Sequence, residues 1–183
     1  AQCTPAVGGT VDPASPTCRD ALARIRRFVG GVNDGQIDYV AINPVNTNFV
    51  IAGSNGPGSG QKMWRSTNGG ATWSTAISLS GNTCCDASVG WSTDGLIAYT
   101  STLINCGASC GVAFYRSTDN GQTWTQSPLL VSSGSDKEYL HVDSYSGSPY
   151  KDNIYVSWHQ SNVQKFARST DKGLTFSAVQ TLD

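Results

Sequence analysis

The sequence is short of charge, of long apolar runs and of basic tracts. Only 14% of its 183 residues are charged, 12 Lys and Arg against 13 Asp and Glu, whereas an ordinary soluble domain has about 25%. No apolar run approaches the roughly 20 residues that cross a bilayer, so we predict no membrane span. The net charge of -1 and the lack of a Lys/Arg tract along the body argue against a nucleic-acid partner.

The six cysteines lack the spacings of common metal and haem sites. None stands in a C-x-x-C or C-x-x-C-H arrangement, so an oxidised framework fits better than a zinc site or haem attachment. We therefore expect a secreted or extracellular (or periplasmic) protein with no metal and no other cofactor. The start Ala1-Gln2-Cys3, without an initiator Met, is what signal cleavage would leave. A piece cut from a longer chain would begin in the same way.

Small polar residues are abundant instead. Ser, Thr and Gly number 23, 17 and 20, which is 60 of the 183 residues. These are residues of turns and strand edges. The composition therefore argues against a helix bundle.

A nine-residue motif recurs three times along the chain. It reads R-S-T-N-G-G-A-T-W at 65–73, R-S-T-D-N-G-Q-T-W at 116–124 and R-S-T-D-K-G-L-T-F at 168–176. The starts at 65, 116 and 168 are 51 and 52 residues apart. Each copy lies between two short apolar segments, which predicts a strand, a tight turn and a second strand.

Each position of the motif has a predicted structural role. The glycine takes positive φ, the Asp or Asn accepts bonds from backbone N–H groups, and the closing aromatic packs between neighbouring units. The positions are Ser66, Asn68, Gly70 and Trp73; Ser117, Asp119, Gly121 and Trp124; and Ser169, Asp171, Gly173 and Phe176.

Two further strands are predicted upstream of each motif. The first covers 37–42, 87–91 and 139–143, and the second covers 49–52, 96–102 and 154–159. A four-stranded antiparallel unit repeating at about 50 residues is typical of a propeller blade. We predict an all-β propeller of about three blades, over about 35–82, 83–134 and 135–183, after a disulfide-tied N-terminal segment, 1–34, whose residues 17–28 fit a short helix.

The motif also carries a family resemblance. S-x-D-x-G-x-T-W is the Asp-box of the bacterial neuraminidase repeat, and T-D-N-G-Q-T-W at 118–124 is its cleanest copy. Over about residues 35–183 the chain resembles the sialidase-like Asp-box β-propellers. The runs D-K-E-Y-L-H-V-D at 136–143 and N-I-Y-V-S-W-H at 153–159 are similar to inner strands of that group. The resemblance implies the fold and places an active site on the face opposite the Asp-boxes, but Asp-box proteins include non-catalytic members.

Strand connectivity sorts the loops onto two faces. The face opposite the motifs receives the predicted crossovers at 30–37, 80–86 and 131–138 and the loops at 54–61, 103–110 and 160–163. Glycoside hydrolysis needs an acid and a base or nucleophile about 5–10 Å apart, and turn capping is the competing role for each carboxylate. The weak catalytic candidates are Asp38, Asp86, Asp136, Glu138 and His159, with Asp34, Asn55 and Lys137 as further polar groups; His141 is predicted to be buried and hydrogen-bonded.

The arginines do not complete the site that the resemblance implies. A sialidase grips its substrate carboxylate with three arginines, because guanidinium binds carboxylate bidentately. Arg65, Arg116 and Arg168 belong to the motif itself and so lie at the wrong face. The other four are in the N-terminal segment, at positions 19, 24, 26 and 27, so the sequence shows no arginine triad.

The cysteines fall into two groups. Cys84 and Cys85 lie on a predicted crossover, and Cys106 and Cys110 lie on a loop of the same face. We predict that these four pair between the two loops, with a Cys84–Cys85 bridge beside a Cys106–Cys110 bridge as the alternative. Cys3 is predicted to pair with Cys18.

Three blades are fewer than the four to eight of most propellers, and an open arc leaves exposed edges. The chain is therefore a fragment, a half-propeller that two copies complete, or a subunit whose edges join chains. We predict a secreted protein that binds or processes glycans, and a glycoside hydrolase if it is an enzyme. The alternative is a non-catalytic extracellular scaffold or self-assembling subunit. The predicted partners are a glycan or an extracellular protein, with self-association or further blades closing the ring.

Overall fold

The computed structural model describes residues 37–55, 60–127 and 129–182. These ranges contain twelve β-strands and no helix, so no helix in them is long and apolar enough to cross a membrane. The predicted all-β fold is confirmed. The predicted helix at 17–28 and the predicted Cys3–Cys18 bridge lie outside the described residues.

The first four strands form one antiparallel sheet, blade 1. Its order is β1-β2-β3-β4, so strands that follow one another in the chain are neighbours in the sheet. Strand β2 is buried along its whole length. The strands are β1 (Ile37–Ile42), β2 (Val50–Ser54), β3 (Lys62–Ser66) and β4 (Ile77–Ser78).

The other eight strands form blades 2 and 3. They are β5 (Ser88–Trp91), β6 (Ala98–Ile104), β7 (Cys110–Ser117), β8 (Thr125–Gln126), β9 (Val131–Val142), β10 (Ile154–Gln160), β11 (Val163–Ser169) and β12 (Gln180–Leu182). Blade 2 is β5 to β8, and blade 3 is β9 to β12. All neighbouring strands are antiparallel.

Strand β9 joins blades 2 and 3 into one hydrogen-bonded sheet. Its first residues pair with β7, where Val131 is opposite Val112 and Ser135 is opposite Cys110. Its later residues pair with β10 as far as Val142 opposite Ile154. The predicted crossover at 131–138 is therefore wrong, because these residues are strand: residues 131–135 continue the outer edge of blade 2 before the chain enters the centre of blade 3.

The three motif copies form similar turns, here called the repeat turns. In each, the Ser hydroxyl accepts a bond from the Gly amide, at 2.8 Å for Gly70, 2.9 Å for Gly121 and 2.8 Å for Gly173. The Asp or Asn side chain then accepts the amides that follow, at residues 72, 122, 123, 174 and 175. The three glycines have φ of 85°, 82° and 79°, which L side chains rarely adopt.

The core lies between the blades. Met63 of blade 1 packs with Ile104 and Tyr115 of blade 2, and a larger cluster around Phe114 and Trp158 lies between blades 2 and 3. In blades 2 and 3 the aromatic residue that closes the repeat turn packs onto the preceding blade. Trp124 lies against the cluster of Ile51, and the Phe176 ring stands edge-on to Phe114 at 4.9 Å.

Candidate functional site

A group of polar side chains gathers at the end of the blades away from the repeat turns. Lys137 Nζ donates to Asp86 Oδ2 at 3.3 Å, in an ion pair that links the loop before β5 to strand β9. The Asp86 amide donates to Asn55 Oδ1 at 2.9 Å. We call Asn55, Asp86, Asp136, Lys137 and Glu138 the polar end. It holds residues from all three blades.

Both members of the ion pair have an unusual backbone conformation. Asp86 has φ of 61° and Lys137 has φ of 54°, in the left-handed region that costs most L residues about 1 kcal/mol or more. The hydrogen bond and the charge of Asp86 raise the pKa of Lys137, and the bond that the Asp86 amide donates to Asn55 ties the same loop to blade 1. Strained residues of this kind tend to cluster at functional sites.

Glu138 is the sole glutamate of the chain and is almost fully buried. Its residue is 2% exposed, and within the described residues neither carboxyl oxygen has a hydrogen-bond partner. Burial, followed by the negative charges of Asp86 and Asp136, raises the pKa of Glu138 to about 10. Since the carboxyl stays protonated at neutral pH, it has the protonation state of a general acid.

The other catalytic candidates are Asp136, His159 and Asp38. Asp136 is exposed on β9, and its strand partner across the sheet is the exposed His159 of β10. Asp38 lies on β1, and its side chain is outside the described part. Asp34 is also outside the described residues. Asp86, Asp136 and Glu138 are thus the candidates that the fold brings together.

The innermost strands of the three blades enclose an open central cavity. Its volume is about 210 Å³, and it is lined by β1, β5 and β9. The rings of Tyr39 and Tyr139 meet edge to face at the mouth of this cavity that is nearest the polar end, with centroids 5.1 Å apart. Tyr139 is 52% exposed and directly follows Glu138 in the chain. The cavity therefore has an aromatic pair at the mouth nearest the polar end, and its lining contains none of the five residues of the polar end.

His141 does not have the environment that the sequence predicted. It is exposed and lines the central cavity, so the prediction of a buried side chain is wrong. On β9 the alternation of a strand sends Leu140 and Val142 into the core between blades 2 and 3. His141, which lies between them, faces the open centre of the arc.

The cysteine pairing also differs from the first prediction. Cys84 is bonded to Cys85, and Cys106 is bonded to Cys110, so the predicted pairing between the two loops is wrong and the alternative is observed. The two loops are held together by backbone bonds instead, because Cys84 N donates to Leu103 O at 2.8 Å. The sulfurs of Cys84, Cys85 and Cys106 lie within 4.8 Å of one another, but each belongs to a disulfide.

The motif arginines lie at the end of the repeat turns, as their position in the motif predicted. Arg65 Nε donates to Asn120 O at 3.1 Å, so this side chain links blade 1 to the repeat turn of blade 2. Arg116 and Arg168 are opposite Tyr99 and Tyr155 in the sheets. Among the described residues, no arginine reaches the polar end.

Two features of the site were not found from the sequence. The Tyr39–Tyr139 pair joins strands 100 residues apart in the chain, and the burial of Glu138 depends on how blade 3 packs against blade 2. The sequence does contain a signal for the burial of Glu138. Glu138, Leu140 and Val142 occupy every second position of β9, and this period of two places the glutamate on the apolar face of the strand.

Comparisons with known proteins identify the fold. The chain matches no protein-family model and no curated protein sequence. Among solved structures it is similar to a GH74 enzyme from Niastella koreensis, with a TM-score of 0.55 and 20% identity over 79% of this chain and 22% of that chain. A GH74 xyloglucanase from Xanthomonas campestris gives a TM-score of 0.51 and 15% identity over 78% of this chain and 23% of that one.

A third similar structure is the α-L-arabinofuranosidase Arb93A of Fusarium graminearum, in complex with an iminosugar inhibitor. Its E242A mutant gives a TM-score of 0.57 and 13% identity, over 80% of this chain and 48% of that chain. The chain therefore spans under a quarter of the two GH74 enzymes and about half of the arabinofuranosidase. These similarities show a β-propeller fold, of which three blades are described here.

Proposed function

We propose that this chain is part of a secreted, sialidase-like Asp-box β-propeller that binds or processes glycans at the polar end. The observation that carries the proposal is the gathering of Asp86, Asp136 and Glu138 at the polar end, where Glu138 directly precedes Tyr139 of the cavity mouth. The three similar structures reported above are glycoside hydrolases, which supports a carbohydrate as the ligand. Fold alone does not assign a function, so the proposal depends on the residues of the polar end.

The cavity mouth has the composition of a carbohydrate site. A sugar ring has one apolar face and a rim of hydroxyl groups. The Tyr39–Tyr139 pair offers an aromatic surface for the apolar face of the sugar. Asp136 and Lys137 are exposed next to this pair and supply a hydrogen-bond acceptor and a donor for the hydroxyl groups. A pocket that combines an apolar surface with a few converging polar groups is the usual form of a ligand site.

The carboxyl groups suit glycosidic bond hydrolysis. Glu138 is held protonated by burial, as a general acid must be to protonate the leaving oxygen. Asp86, held by Lys137, is the candidate base for the attacking water. The reaction requires one carboxyl group that acts as the acid and a second that acts as the base or nucleophile.

Glycan binding without hydrolysis is the second candidate, and one observation favours it. Both oxygens of Glu138 are buried, so a substrate reaches them only if the residues that cover this carboxyl move. In the described part of the chain there is also no arginine at the polar end to grip a sialic-acid carboxylate. A neutral sugar therefore suits the polar end better than a sialoside.

The extracellular location is supported by the cysteines. Two disulfides, Cys84–Cys85 and Cys106–Cys110, lie within 26 residues of one another in the chain. Disulfides persist in oxidising compartments and are rare in the cytosol.

A glycan array combined with release assays tests the proposal. The release assays use sialosides, uronic-acid polysaccharides, arabinosides and xyloglucan. We expect binding to a glycan that is weakened at least tenfold by Tyr139→Ala and unchanged by Tyr145→Ala, since Tyr145 is 71% exposed on the loop at the opposite end. Sugar release that Glu138→Gln abolishes would favour hydrolysis, and binding without release would favour a lectin-like role. The absence of both binding and release with every glycan would overturn the proposal, and so would equal effects of the two tyrosine variants.

A further inference from the structure

Two disulfides lie side by side at the end of blade 2 that carries Asp86. The sulfurs of Cys84, Cys85 and Cys106 all lie within 4.8 Å of one another, and Cys106 is bonded to Cys110. Exchange between a thiol and a disulfide begins when a thiolate attacks one of the two bonded sulfurs. The Cys106 sulfur therefore lies beside both sulfurs of the neighbouring bridge.

Backbone hydrogen bonds align the two loops that carry these bridges. Cys84 N donates to Leu103 O at 2.8 Å, and Leu103 N donates to Cys85 O at 3.1 Å. Asn105 N donates to Asn82 O at 2.8 Å. None of these bonds involves a sulfur, so the alignment of the loops does not depend on which sulfurs are bonded to each other.

Both bridges are accessible from solvent. All four cysteines are half-buried, and residues 107–109, between Cys106 and Cys110, are exposed. The bridges join cysteines only one and four residues apart in the chain. A disulfide that closes so short a loop restrains little of the unfolded chain, so stabilisation of the fold is a weak reason for having both.

We propose that the two disulfides form a thiol–disulfide exchange site that accepts two electrons from a dithiol. In the first step the dithiol reduces the Cys106–Cys110 bridge. The dithiol becomes a disulfide, and the two cysteines take up its two electrons and two protons. In the second step the Cys106 thiolate attacks one sulfur of the Cys84–Cys85 bridge. The bond between the loops forms, the Cys84–Cys85 bond breaks, and the cysteine that leaves takes up the proton that Cys106 lost.

The second step changes no oxidation state and needs no further reductant. Its product holds one bridge between the two loops and two free thiols. The exchange also reaches the polar end, because Cys85 directly precedes Asp86, whose carboxylate pairs with Lys137 at 3.3 Å. The reacting groups are the cysteines alone, so the inference does not depend on the proposed glycan function.

Stepwise reduction of the folded wild-type chain is the first test. Dithiothreitol is added in small amounts, the reaction is quenched with acid, and free thiols are alkylated. Digestion with chymotrypsin then cuts after Trp91 and Tyr99, between the two bridges. Before reduction we expect no peptide pair that joins the loops. After the uptake of two electrons, a pair that joins Cys84 or Cys85 to Cys106 should be the main product at these cysteines.

A matched pair of variants tests the role of Cys106 without any reductant. Cys110→Ser leaves the Cys106 thiol beside the Cys84–Cys85 bridge. Cys106→Ser leaves the thiol of Cys110, whose sulfur is not among the three that lie within 4.8 Å of one another. Since exchange depends on the access of the thiolate to a disulfide sulfur, we expect at least about tenfold more cross-loop peptide from Cys110→Ser. Thermal unfolding checks that both variants are folded.

Two results would overturn the inference. One is a partly reduced wild-type chain in which both cysteines of one bridge are alkylated while the other bridge is intact, because the bridges then react independently. The other is an equal yield of cross-loop peptide from the two variants. If a variant does not fold, the reduction of the wild-type chain decides. These measurements involve no glycan, so a negative result leaves the glycan proposal standing.

Discussion

Gly173 lies directly against the ring of Phe114. A Cβ at this position would stand 2.5 Å from Cε1 of the ring, and the glycine has φ of 79°. The repeat turn of blade 3 therefore packs against β7 of blade 2, and Gly121 packs in the same way against Ile51. Glycine meets two requirements at this position of the motif, a left-handed backbone and close contact with the preceding blade.

The first prediction is that Gly173→Ala destabilises the protein by about 3 kcal/mol, because the left-handed backbone and the overpacking each cost on the order of 1 to 3 kcal/mol. The matched control is Gly107→Ala, since a Cβ at Gly107 meets nothing within 4 Å. Urea unfolding of both variants measures the difference. Equal midpoints for the two variants would show that the contact between the blades does not depend on this glycine.

A second prediction concerns acid stability. Burial alone raises the pKa of Asp119 and Asp171, but hydrogen bonds from the Thr, Ser and backbone N–H groups of the repeat turns outweigh it, so the pKa of Asp119 is lowered and that of Asp171 falls to about 2. A lowered folded-state pKa gives stability that is present above the unfolded value, about 4, and is lost as the pH falls through the folded value.

In the double variant Asp119→Asn/Asp171→Asn the free energy of unfolding should therefore fall less than in wild type when the pH is lowered from about 4 to 2. Blade 1 already has Asn68 at the same position, where it accepts the Thr72 amide at 2.9 Å, so the turn tolerates the amide. At pH 6 each substitution should cost about 1 kcal/mol, since charge-assisted hydrogen bonds are the stronger ones. Thermal unfolding between pH 2 and pH 7 measures this, and parallel curves for variant and wild type would contradict it.

The sequence was sufficient to predict the fold because the motif repeats. Three copies of one turn at a fixed spacing specify a strand order, and the positions of Gly121 and Trp124 in the motif indicate contact between blades. The repeat does not predict the structure of residues that differ from one copy to the next. The crossover at 131–138 is strand in the structure because backbone pairing with β7 depends on the path of the chain in space.

The candidate site was predictable only in outline. Connectivity placed Asp86, Asp136 and Glu138 at one end of the blades, and the structure brings them together there. Their different environments depend on packing: Glu138 is buried, whereas Asp136 is exposed to solvent. The inner-strand pattern around His141 predicts a buried side chain, but the alternation of β9 places His141 in the lining of the central cavity.

A third prediction follows from the disulfide pairing. Non-reducing peptide mapping should recover Cys84–Cys85 in one peptide and Cys106–Cys110 in another, with no bridge between the two loops. Because the second bridge closes a loop of only four residues' separation, its removal by Cys106→Ala/Cys110→Ala should cost about 2 kcal/mol or less. A crosslinked peptide pair, such as Cys84 with Cys106, would restore the pairing first predicted from the sequence.

The last prediction concerns Glu138. A carboxyl whose folded-state pKa is raised contributes its full stability below the unfolded value, about 4.5, and loses it as the pH rises toward the folded value, here about 10. The wild-type chain should therefore lose stability steadily between about pH 5 and pH 9. Folding must keep the carboxyl neutral in that range, because within the described residues it has no ion-pair or hydrogen-bond partner.

Glu138→Gln removes the titration and keeps the shape of the side chain. We expect it to be more stable than wild type at pH 7, on the order of 2 kcal/mol, and to match wild type near pH 4. Asp136→Asn, on the exposed side of the same strand, serves as the control and should change little at either pH. Thermal unfolding of the three proteins between pH 4 and pH 9 measures the difference. If the wild-type and Glu138→Gln curves run parallel, Glu138 titrates as an ordinary carboxyl and its role as a protonated acid at neutral pH fails with it.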